Sequence, residues 1–172
     1  MLEVPRSLKQ PAEAVKWTPP SPTCYKINVD DAVFKEQKMV GVGILIRDEE
    51  GQLVGACSKK IEAPLGAIEA EAKATELGLH FAKNMSIQDF TLESDSLTLI
   101  NALRDLSPPP SSIAALVYSS VAVSHPFCCV DFSHVGRNGN RLVHLLARHA
   151  LGIAHLFVWV EETPCFLEQA LN

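Results

Sequence analysis

Three strand-like segments joined by short connections, followed by strands that alternate with helices, constrain this chain more than any other feature. Tyr25–Asp30 alternates apolar and polar residues, Val40–Arg47 is nearly all apolar, and Leu53–Ile61 follows a turn at Asp48–Gly51. Pro64 and Gly66 break the chain before a helical pattern over Ala67–Lys83. The spacing then predicts a strand at Ile87–Glu93 and a helix capped by Asp95 or Ser96 that runs to about Leu106. Pro108, Pro109 and Pro110 end that helix, and Ser111 or Ser112 starts another to about Ser124. A fifth strand at Phe127–His134 and a last helix at Asn138–Leu151, stopped by Gly152, precede a short tail with Trp159 and Pro164. The order β-β-β-α-β-α-α-β-α implies an α/β fold, a five-stranded mixed sheet (three antiparallel strands, then parallel ones) flanked by helices. Residues 1–22, which include Pro5, Pro11, Pro19, Pro20 and Pro22, read as an arm or linker, and residues 23–172 as one domain.

The helix over residues 67–83 carries one misplaced charge. Glu69, Lys73, Glu76, His80 and Lys83 make a polar stripe; Ile68, Thr75, Gly78, Leu79 and Ala82 make the opposite, apolar one. Glu71 falls on the apolar stripe, where a carboxylate is costly unless something positive meets it. Asp30 ends the first strand and Asp95 follows the fourth, and in α/β sheets reactive groups gather at the carboxyl ends of parallel strands. Singly, Asp30 reads as a turn residue and Asp95 as a helix cap. With Glu71 they read as a cage for a hard divalent cation, which relieves the repulsion among three carboxylates.

Composition excludes several classes. With 47% hydrophobic and 20% charged residues the chain is ordinary for a globular protein, and no apolar run is long enough to span a bilayer. Met1–Gln10 lacks the apolar block of a secretion signal. The five cysteines form no CxxC pair, so the expectation is buried free thiols in a reducing compartment, nucleus or cytoplasm, rather than a disulfide or zinc framework. His144 and His149 are off the spacing of a zinc pair on one helix face, and Gly41-Val42-Gly43 sits inside a strand pattern rather than a phosphate loop. A net charge of −5 argues against strong general affinity for nucleic acid, although a metal would neutralise an acidic cluster and a local basic strip could still meet phosphates. A monomer is expected.

Asn28-Val29-Asp30, the run Val40-Gly-Val-Gly-Ile44, Glu69-Ala-Glu71-Ala72, Glu93-Ser-Asp95-Ser96 and His134…Asn140…Leu146-Ala147 together resemble the type 1 ribonuclease H family. More narrowly they resemble its plant reverse-transcriptase-like, retrotransposon-related branch, as do Trp17-Thr-Pro-Pro20 and Trp159-Val-Glu-Glu-Thr-Pro164. The likeness runs from about residue 17 to 165. It implies a ribonuclease H-like fold and hydrolysis of the RNA strand of an RNA–DNA hybrid with two Mg²⁺ (or Mn²⁺) ions roughly 3.5–4 Å apart. Asp30 would be the shared ligand, with Glu71 and Asp95 completing the set. Glu71 is preferred to Glu69 because it faces inward and keeps the family's seven-residue spacing to a small residue, Gly78.

The same resemblance puts His134 where a mobile histidine assists proton transfer or product release; the plainer reading is a loop histidine. Asn140 matches a position near the nucleic acid, or caps a helix. Arg137, Arg141 and Arg148, with Lys59 and Lys60, are phosphate contacts or solvated surface charge. Two positions depart from the family. His144 stands where a fourth carboxylate is expected, and neutral imidazole is a poor Mg²⁺ ligand and a better one for Mn²⁺ or Zn²⁺. Asp31 stands where glycine is usual. Both open an alternative, a catalytically degenerate module that binds nucleic acid or a protein partner.

Overall fold

In the computed structural model the described residues are 17–171, so most of the expected arm lies outside them. β1 (Tyr25–Phe34), β2 (Met39–Arg47) and β3 (Leu53–Ile61) form an antiparallel meander. Asp48 closes the β2–β3 turn by accepting the backbone N–H groups of Glu50 at 3.0 Å and Gln52 at 2.8 Å, and Gly51 takes the positive φ of 80° that the turn needs. β4 (Asp89–Ser94) runs parallel to β1 on its other side, and β5 (Cys129–His134) parallel to β4. The sheet has six strands rather than five, in the order β5-β4-β1-β2-β3-β6. The extra one, β6 (Leu156–Val160), lies in the segment expected to be a tail. Its sequence, LFVWV, has no apolar–polar alternation; what orders it is the free edge of β3, against which it pairs antiparallel from Gly55 to Lys59.

α1 (Ala67–Asn84), α2 (Leu97–Leu103) and α3 (Ala114–Ser124) pack on one face of the sheet in the main core, with Ile27, Val29, Ile44, Ile46 and Leu92. α4 (Arg141–His149) and α5 (Cys165–Leu171) pack on the other, around Leu45, Ala56, Val143, Leu146 and Leu167. α2 stops short of Leu106, and the last expected helix divides into a 3-10 turn at Arg137–Asn140, α4 and a second 3-10 turn at Ala150–Gly152. β2 is buried along its whole length and serves both cores by alternation. Val42 and Ile44 point to α1. Gly41 and Gly43 point to α4, where a Cβ would overlap the carbonyls of Ala147 and Val143 respectively. The two glycines therefore let α4 lie directly on the β2 backbone. On the opposite face Gly78 does the same for α1, since a Cβ there would come within 2.6 Å of Val29 Cγ1.

The cysteines are free, but only Cys57 is buried; Cys128, Cys129 and Cys165 are exposed, contrary to the expectation, because they fall just before and on the outer edge strand β5 and at the start of α5. Among the described residues no helix is long and apolar enough to cross a membrane.

Candidate active site

The site exists because β1 outruns β4. Their parallel pairing covers Tyr25–Asn28 against Phe90–Glu93 and then ends, while β1 continues to Phe34, paired only with β2. Asp30 is thus not at a strand end, as its turn-like setting implied; it lies where β1 loses its neighbour. Asp95 follows directly after β4 at the same gap. Successive strand side chains point to opposite faces. Asn28 and Asp30 turn toward α4; Ile27, Val29 and Asp31 turn toward α1. Glu71 reaches the gap from the second turn of α1, on the stripe of Thr75, Gly78 and Ala82. A cavity of 410 Å³ is lined by Asp30, Asp31, Glu71 and Asp95, with Arg137, Asn138, Asn140, Arg141 and His144 completing its wall.

Negative charge is concentrated there. Burial raises Asp30 to about 6, helped by the nearby Asp95 and opposed by the Asp31 backbone N–H and by His144, whose Nδ1 is 2.8 Å from Asp30 Oδ2. Burial raises Asp31 to about 8, with Asp30, Glu71 and Asp95 adding to the effect and nothing opposing it. Glu71 is also raised, first by burial; a hydrogen bond from Ser96 pulls it down and Asp95 pushes it up. Carboxyl groups raised together in one cavity make it the candidate functional site.

Among the described residues no three His, Cys, Asp or Glu side chains converge on one point. The cavity wall nevertheless carries four hard-oxygen donors, and Mg²⁺ keeps several waters and takes only one or two carboxylates directly. Carboxylates spaced around a cavity fit a hydrated ion of that kind, and such an ion would offset the burial, and secondarily the like charges, that raise Asp30 and Asp31.

The other expected residues are placed unevenly. Arg137 and Arg141 line the cavity as exposed side chains, and Asn138 joins them. His134 does not. It lines a neighbouring cavity of 360 Å³ with Trp17 and Glu93, and its Nε2 is 3.2 Å from the Asp95 carbonyl. Lys59 and Lys60 line a separate hollow beside His155, and Arg148 is exposed further along α4.

Asn140 is 2% exposed, and its amide is occupied on both sides. It donates to the Val29 carbonyl at 2.8 Å and accepts from Asn28 Nδ2 at 3.1 Å. Asn28 also donates to Glu93 at 3.1 Å and accepts from Trp17 Nε1 at 3.1 Å. Glu93 pairs with Lys26 at 2.7 Å, and the Arg47 guanidinium lies 3.6 Å over the Trp17 ring. This buried polar network ties α4 to β1 beneath the cavity, and sequence reading missed it because its members lie in different elements. Asp31 was noted only as a departure from the family. Strand alternation placed it on the α1 side, and that signal would have found it.

The sequence matches the reverse transcriptase-like family over residues 28–150, well over half of the chain. No curated protein matches it. The fold is similar to that of RNase H1 from the halophilic archaeon Halobacterium salinarum NRC-1, with a TM-score of 0.71 and 20% identity over 76% of this chain and 99% of that one. It is similar to the N-terminal RNase H domain of rv2228c from Mycobacterium tuberculosis, with a TM-score of 0.67 and 17% identity over 75% and 94% of the two chains. It is similar to LC11-RNase H1 in complex with an RNA/DNA hybrid, with a TM-score of 0.66 and 17% identity over 74% and 96%. By its sequence match and its sheet order, the chain belongs to the reverse transcriptase-like family and has a type 1 ribonuclease H fold.

Proposed function

We propose that the protein is a metal-dependent endonuclease that hydrolyses the RNA strand of RNA–DNA hybrids. The observation that carries this reading is that Asp30, Glu71 and Asp95, from β1, α1 and the segment after β4, line one cavity. LC11-RNase H1, whose fold the chain shares, was solved in complex with an RNA/DNA hybrid, which supports the substrate class. Asp30, Glu71 and Asp95 would hold two Mg²⁺ or Mn²⁺ ions, which when bound polarise the scissile phosphate and lower the pKa of water at the site. Arg137 and Arg141 on the rim present guanidinium groups to backbone phosphates, contacts that position a nucleic acid without reading its sequence. Asn140 supports this rim from below by fixing the start of α4. His134 stands outside the cavity and would act on proton exchange or product release only after leaving the Asp95 carbonyl.

A labelled hybrid incubated with the purified chain and either ion tests the reading. Cleavage is expected, weaker with Mg²⁺ than with Mn²⁺, and Asp30→Asn is expected to lower it by about 10²-fold or more. Cleavage that survives Asp30→Asn would refute the site. The second reading, a binding module with a degenerate site, is favoured by His144, which occupies Asp30 Oδ2 where a carboxylate would add charge. Hybrid retention that weakens with salt, without cleavage at any metal concentration, is its expected signature.

A further inference from the structure

We propose that Asp31 is a metal ligand of this site, supplying from the α1 side of the sheet the fourth carboxylate that residue 144 does not supply from the α4 side. The inference deepens the reading of the cavity as a divalent-metal site and rests on it. Consecutive residues of a strand face opposite ways, and a central strand flanked on both sides would bury them in separate cores. Here β4 has already ended, so both faces of β1 open into one cavity, and Asp30 and Asp31 line it together.

The two carboxylates are not equivalent. Asp30 is engaged by His144 Nδ1 at 2.8 Å. The Asp31 side chain makes no hydrogen bond or ion pair among the described residues, and the charges that act on it are those of Asp30, Glu71 and Asp95. An aspartate held among other carboxylates without a partner has no evident structural role; its chemistry is that of a hard-oxygen donor. His144 offers a softer nitrogen and is already committed to Asp30, so the carboxylates open to a hydrated ion on the α1 side are those of Asp31, Glu71 and Asp95, of which such an ion takes one or two directly.

Titration of the metal-free chain with Mn²⁺ alone, read as the loss of the free-ion electron paramagnetic resonance signal, tests this without reference to activity. Wild type is expected to bind two ions. Asp31→Asn should bind one, or bind the second at least tenfold more weakly, and His144→Asp added to Asp31→Asn should restore the second ion. Asp31→Gly, with the residue usual at this position, is a second variant expected to behave as Asp31→Asn does. Two ions bound by both Asp31 variants within threefold of the wild-type affinity would overturn the assignment while Asp30→Asn still abolishes binding. Wild type that binds no Mn²⁺, or binds it unaffected by Asp30→Asn, would overturn the metal site itself and this inference with it.

Discussion

In the metal-free protein Asp30 and Asp31 are held at about 6 and about 8, against an ordinary value of 3.8, chiefly by burial. Each keeps a proton in the folded chain that the unfolded chain releases near 3.8. Their contribution to stability is therefore fully present below about pH 4 and is lost as pH rises through about 6 for Asp30 and about 8 for Asp31. Asp31→Asn cannot titrate. It is expected to raise the stability of the metal-free protein at pH 8 by on the order of 1–3 kcal/mol, and by less at pH 5. Urea unfolding at the two pH values measures this, and equal effects at both would contradict it. Thr75 makes a separate case: it is 0% exposed on α1 and its Oγ1 has no partner. Thr75→Val is expected to be neutral or stabilising by up to about 1 kcal/mol, read as a shift in urea midpoint, because it removes an unsatisfied buried hydroxyl. Period alone identified Glu71 as the inward carboxylate, since its neighbours on the stripe are the buried residues of α1. Period could not reveal that Ser96 would hydrogen-bond it, because that contact joins two elements.

At the scale of elements, the alternating glycines of β2 set the height of α4 over the sheet. A Cβ at Gly43 would overlap the Val143 carbonyl and lie 2.9 Å from Leu146 Cβ, so Gly43→Ala must lift α4. The expected loss is about 1–3 kcal/mol, several degrees in Tm, together with weaker Mn²⁺ binding as Asn140 pulls on the β1 backbone that carries Asp30 and Asp31. A thermal melt and the same titration check both; unchanged binding would show that α4 does not position the site. The run Val40-Gly-Val-Gly-Ile44 was legible as a strand, but its reason for carrying glycine was not, because that reason is a helix a hundred residues later. β6 shows the converse. Its five residues are strand-prone in type but carry no apolar–polar alternation, and they are ordered by the open edge of β3.

At the scale of the molecule, a buried polar network joins the segment at Trp17 to β1, β2, β4 and α4. Lys26 and Glu93 pair at 2.7 Å with side chains 9% and 8% exposed, and Asn28 links the pair to Asn140. Glu93→Ala is expected to cost about 3–5 kcal/mol because it strands a buried charge. Lys26→Met with Glu93→Leu should cost less, since the Lys26 charge is removed with its partner and only Arg47 stays charged in the network. Denaturant unfolding of the two variants separates these outcomes, and equal losses would show that packing rather than charge dominates. The order of the first five strands and the helices among them, and the grouping of Asp30, Glu71 and Asp95 about one cavity, followed from the amino-acid sequence by itself: local periodicity dictates which face of its own element a side chain occupies, and chain order restricts which strands become neighbours. Tertiary structure alone decided that β1 runs past β4 and admits Asp31, that His134 stays outside the cavity, that Asn140 is buried in a network, and that the tail extends the sheet beyond β3. Each of these depends on where one element stops against another, and that is a matter of packing between distant segments, which no local pattern encodes.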